Sequence, residues 1–231
     1  MNTNSQLLGV WCGVGFLVLF GLGWWLLAGY LPPTSPALSA NEIAAFYQEN
    51  TGRIRLGLMI TMFSAILVAP WVAVIAVQMK RIEGDYPVLA YTMLVAGAAG
   101  IVILFLPAMI WTTAAFRPER DAELIMLLND FGWLLFVMTF SPFFVQNMAV
   151  GLAIFSDKAP VPIFPRWLGY LNIWVAILLV PGGVVTFFKV GPFAWDGILA
   201  FWMPLVVFFG WFLVMAVALT KAIKQQAAPA Q

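Results

Sequence analysis

Asn129, Asp130, Gln146 and Asn147 lie within residues 121–155, DAELIMLLNDFGWLLFVMTFSPFFVQNMAVGLAIF, a run otherwise apolar enough to dissolve in lipid. A carboxylate in hydrocarbon costs about 2.5–3.5 kcal/mol on insertion scales, so an acid there marks a site or a structural ion pair by default. Three readings of Asp130 are open. It is an ordinary helix-end acid if the span starts at Phe131. It is half of a lock if Arg53 or Arg55 reaches it. Or it stands unpaired in a pocket, where it can donate and accept a proton near neutral pH and act as a catalytic acid.

On a helix turning ~100° per residue, Asn129, Trp133, Phe136, Phe140 and Asn147 fall on one stripe. Amides at its ends and aromatics between them can line a pocket for a largely apolar ligand with polar ends. The alternative is ordinary packing, with the amides bonded across to neighbours such as Asn172. Trp111 and Trp133 add faces that can stabilise a cation.

Other chemistries are excluded by residue type. The chain has no histidine and one cysteine, Cys12, so histidine-held haem, non-haem iron, copper and zinc lack their ligands, as do thiolate clusters and imidazole triads. No metal site and no cofactor is expected. A carboxylate-held hard cation in the loop AAFRPERDAE is weighed against a solvated charged turn, and the turn is preferred. A net charge of +1 without a basic patch gives no support for nucleic-acid binding.

The elements that must position these residues follow from composition. Of 231 residues, 63% are hydrophobic and 9% charged, against about 25% charged in soluble domains. Long continuous apolar runs, rather than ~10-residue alternating segments, leave helices as the spanning structure. The expected fold is an all-α polytopic membrane bundle in a single domain, with spans at about 7–31, 54–79, 87–112, 122–155, 167–188 and 195–220. The first run is too long for a signal-peptide core and is read as a retained span. Gly9 and Gly13 allow close helix contact there.

Between spans 1 and 2, Ser39 followed by Glu42 is a capping-box signature for a short interfacial helix over about 40–50. It places Ile43, Phe46 and Tyr47 on one face, as a connector or as a lid over an opening. Span 4, at 35 residues and ~1.5 Å each, exceeds a ~30 Å core and must protrude, tilt or break, with Pro142 as the place to break. Pro70, Pro107, Pro181 with Gly182 and Gly183, and Pro204 mark further kinks. Pro107, Pro181 and Pro204 fall toward the face opposite the termini, as do Asn129 and Asp130, which suggests a cavity in that half. The tail 225–231 reads as disordered.

An even span count puts both termini on one side. Lys80, Arg81, Lys158, Arg166, Lys221 and Lys224 lie there, against Arg53, Arg55, Arg117, Arg120 and Lys189 opposite, a slight bias toward cytoplasmic termini. The 11 tryptophans make the chain tryptophan-rich; some fit an interfacial belt and some sit deeper. The resulting expectation is a multi-pass protein of a bacterial-type inner membrane that binds or transports a hydrophobic small molecule, or is a subunit of a homo- or hetero-oligomeric membrane complex in contact with lipid. The alternative is a metal-free isomerase, cyclase or hydratase acting on a lipid or terpenoid through Asp130.

Overall fold

The computed structural model describes residues 3–227. Six helical spans are long and apolar enough to cross a membrane: Thr3–Leu27, Ala40–Glu83, Val88–Phe116, Ala122–Ser156, Arg166–Phe187 and Ile198–Ala227. This is an all-α multi-pass bundle, as expected from composition. The first span is α1 (Thr3–Phe20), continued by a π-helical segment, Gly21–Leu27; the second is α2 (Ala40–Ala65) with α3 (Val68–Glu83); the third is α4 (Val88–Phe116). The fourth is α5 (Ala122–Met138) with α6 (Ser141–Ser156), and the fifth is α7 (Arg166–Leu179) continued by a 3-10 segment, Val180–Phe187. A π-helical segment, Ile198–Trp202, leads into α8 (Met203–Ala227).

The helix expected at 40–50 is present, but it is the first part of α2 rather than a separate piece. The capping box forms, with Ser39 N donating to Glu42 Oε2 (2.8 Å) and Glu42 N to Ser39 Oγ (3.4 Å). Nothing stops the helix at Asn50-Thr51, because both side chains bond back to their own helix: Asn50 Nδ2 to Phe46 O (3.0 Å) and Thr51 Oγ1 to Tyr47 O (2.7 Å). The ladder fails instead at Ile66–Leu67. Pro70 has no N–H to give to residue 66, and it falls in the first turn of α3, where none is needed.

The same logic breaks span 4. Pro142 sits in the first turn of α6, and the chain leaves helical geometry at Thr139. Pro181-Gly182-Gly183 turns α7 into the 3-10 segment, and Pro204 lies just inside α8. At the other end of α8, residues 225–227 are helical, which corrects the disordered tail there; 228–231 lie outside the described residues.

Packing centres on α4, which touches α2, α3, α5 and α6, while α1 lies against α3 and α8. The Gly9/Gly13 pair faces α3: a Cβ on Gly9 would overlap Val74, and one on Gly13 would overlap the Trp71 ring. Backbone meets backbone where Gly23 crosses Gly57, which only residues lacking Cβ allow. At the end bearing the termini, buried Gln78 donates to Gln6 Oε1 (2.6 Å) and Gln226 Oε1 (3.2 Å) and accepts from Arg81, tying α1, α3 and α8. Glu83 accepts from Leu89 N (2.9 Å) and Ala90 N (2.7 Å), capping the start of α4.

Candidate functional site

Helix α5 turns Asn129 and Trp133 inward, where each is fully buried. Asn129 Oδ1 accepts from Tyr47 Oη of α2 (3.2 Å) and from Thr34 Oγ1 of the 28–39 connection (3.4 Å). Tyr47 Oη accepts in turn from Tyr30 Oη (2.9 Å). Trp133 Nε1 donates to Thr34 Oγ1 (2.8 Å), Trp195 Nε1 to Thr34 O (2.7 Å), and Trp111 Nε1 to Asn129 O (3.3 Å). Every group here would be costly to bury unpaired, and together they bind one another. The consequence is mechanical: the 28–39 connection is held down as a plug across α2, α4, α5 and the 188–197 connection.

The aromatic rings of this network form its floor. Tyr30 lies 4.5 Å from Trp111 between ring centroids, and Trp111 5.0 Å from Trp133. Phe136, one turn below Trp133, touches Trp24 (5.4 Å), Trp111 (5.8 Å) and Phe20 (6.4 Å). Such pairs contribute about 0.5–1.5 kcal/mol each beyond their buried area.

Below that floor the helix breaks leave space. A cavity of about 90 Å³ is bounded by Phe136, Phe140, Phe201, Pro204, Phe208 and Leu104, among others. Its walls come from the end of α5, from α4 beside Pro107, from Leu179 at the end of α7, and from α8 around Pro204. The one polar side chain in the wall is Thr139, whose hydroxyl donates to Leu135 O. The kinked half of the bundle therefore holds a partly open apolar, aromatic space with no acid or base in its lining.

The residues singled out from sequence divide into four groups. Asn129, Trp133 and Trp111 meet in the network, and Phe136 and Phe140 line the cavity. Asn147 and Asn172 belong to neither. The break at Thr139 takes Asn147 off the stripe; its Nδ2 donates to Phe143 O (2.8 Å) and its Oδ1 is buried without a partner. Asn172 donates to Leu168 O (2.8 Å) and accepts from Trp211 Nε1 (2.9 Å).

Asp130 is half-buried beside the network and accepts from Asn129 Nδ2 (3.3 Å). The lock with Arg53 or Arg55 does not form. Arg53 donates to Leu26 O (3.2 Å), and Arg55 lies over the Phe116 ring at 5.6 Å. The long arginine side chains find nearer acceptors at the membrane surface than an acid one helix away.

Sequence reasoning missed Tyr30, Thr34, Trp195, Phe201 and Phe208. Only Tyr47 carried a signal, through its shared face with Ile43 on the capped helix; both are fully buried. Among the described residues no group of acids and thiols could hold a metal ion. Fold and site together define a multi-pass α-helical membrane protein with a plugged aromatic interior. Compared with known protein families, characterised proteins and solved structures, the chain matches none.

Proposed function

We propose that this protein binds a hydrophobic small molecule in the aromatic cavity between spans 3, 4, 5 and 6, beneath the plug formed by residues 28–39, with both termini in the cytoplasm. The observation that carries the reading is the cavity's lining: phenylalanines and aliphatic side chains, mostly from spans 3 to 6 with Phe20 from span 1, and a single hydroxyl that is already engaged. Such a wall selects by shape and apolarity. It offers a reaction no proton donor, which favours binding or passage over the isomerase, cyclase or hydratase alternative. Asp130 does not line the space, so catalysis through it has no support from the cavity.

Purified protein is extracted with organic solvent and the extract compared by mass spectrometry with that of Leu205→Trp, whose indole fills the cavity from α8. The expected result is an apolar compound stoichiometric with the wild type and depleted at least tenfold in the variant, at an unchanged far-ultraviolet helix signal. Identical extracts holding only bulk membrane lipid would sink the reading.

A further inference from the structure

A second site lies on the outer surface, away from the cavity. Between α2 and α4 runs an outward-facing groove lined by Met62, Phe105, Met109, Thr112, Thr113 and Phe116. Two guanidinium groups share the ring at its upper end: Arg55 stands 5.6 Å and Arg117 5.9 Å from the Phe116 centroid. Arg120 closes the same corner, donating to Thr113 O (2.8 Å). Two like charges over one ring repel each other, and the partners holding these arginines are a ring and a carbonyl. None is paired with a carboxylate among the described residues, although Glu119 and Asp121 occupy the same turn; Asp121 instead accepts from Glu123 N (2.9 Å).

The corner stands where the chain leaves the membrane, at the end of α4. From Phe116 down to Phe105 the groove follows α4 for roughly 17 Å at the ~1.5 Å helical rise. That is about half of a ~30 Å hydrocarbon core, the depth of one leaflet.

We propose that this groove binds an anionic phospholipid of the surrounding leaflet, its phosphate between Arg55 and Arg117 and one acyl chain along Met109 and Phe105. A bidentate guanidinium suits phosphate oxygens better than a point charge does. The ligand's negative charge removes the repulsion that the two arginines otherwise carry. Basic groups at a membrane surface contribute about 1 kcal/mol each toward anionic lipid, a little over fivefold in affinity, so the pair accounts for about thirtyfold.

The test uses the full-length protein in mild detergent, titrated with micelles containing phosphatidylglycerol or phosphatidylcholine, with retained lipid counted by native mass spectrometry. Phosphatidylglycerol is expected to be retained in preference, and R55Q/R117Q to lose that preference about thirtyfold. M109W, which fills the groove and leaves both arginines, is expected to lose the bound lipid as well, while K221Q at the opposite end behaves as wild type. Equal retention of the two lipids overturns the proposal, as does an unchanged preference in R55Q/R117Q. Release of phosphatidylglycerol by millimolar inorganic phosphate also overturns it, because a headgroup-only anion site needs no groove.

Discussion

Asn129 is the residue on which the plug depends. Its side-chain oxygen accepts from two elements and its backbone oxygen from a third, so losing the amide leaves the buried Tyr47 hydroxyl without its acceptor and the Thr34 hydroxyl with only the bond it receives from Trp133. Asn129→Leu is therefore expected to cost about 1–3 kcal/mol, the range for leaving buried hydroxyls unsatisfied, read as a lower unfolding midpoint in detergent. Tyr47→Phe removes the donor to Asn129 and also leaves the buried Tyr30 hydroxyl without its acceptor, so a comparable loss of about 1–3 kcal/mol is expected. An Asn129→Leu protein as stable as wild type would show that the plug is held by its rings alone. Gly132 is a steric companion: a Cβ there would overlap Trp111 Nε1. The sequence exposed Asn129 and Trp133 because a polar group in an apolar run is conspicuous. It hid Thr34, which reads as a loop residue, and Trp195, which reads as an interfacial-belt tryptophan at the start of span 6, until the fold brings the two together beside α5.

Elements meet here by backbone approach and part at prolines. Along the first span, Gly13 of α1 lies under the Trp71 ring, whereas Gly21, at the start of the π-helical segment, has no atom within 4 Å of a would-be Cβ. Gly13→Ala is expected to destabilise by about 1–3 kcal/mol through overpacking, and Gly21→Ala to stay within about 0.5 kcal/mol. Thermal unfolding of the two variants checks this pair, and equal effects would mean that α1 does not bear on α3 as described. Proline positions were readable, and they located the breaks of spans 2, 4, 5 and 6 to within a few residues, because a missing N–H is a local property. What a break does next is not local. Helix α2 ran through Asn50-Thr51 because side chains bonded back to their own turn, and the stripe from Asn129 to Asn147 was cut because α6 restarts with a new phase after Thr139.

At the scale of the whole molecule, six spans bring the termini to one side, where Gln78 joins α1, α3 and α8, and put the plug on the other. The proposed orientation predicts that a fluorescent protein fused after Gln231 fluoresces in the cell, whereas alkaline phosphatase fused there stays inactive. Active phosphatase at that position would invert the topology and leave the bundle unchanged. Spans 4 and 6, which wall the cavity, are also the least covered by the rest of the chain, with 22% and 28% of their apolar windows buried against 39–44% elsewhere. A ligand reaching the cavity from lipid would pass these two.

The sequence by itself determined that the chain is a bundle of six membrane helices and where several of those helices break, and it marked Asn129 as a polar group inside an apolar span. Those are consequences of hydropathy, proline geometry and the cost of burying amides, all of which act within a segment. Only the tertiary structure decided which polar groups meet. Asn129 found Tyr47 and Thr34 rather than Asn147, Arg55 found Phe116 rather than Asp130, and the space between the kinks is lined by rings rather than by the acid. The physical reason is that pairing depends on helix phase after each break and on side-chain reach between elements far apart in sequence, and neither is written in any one segment.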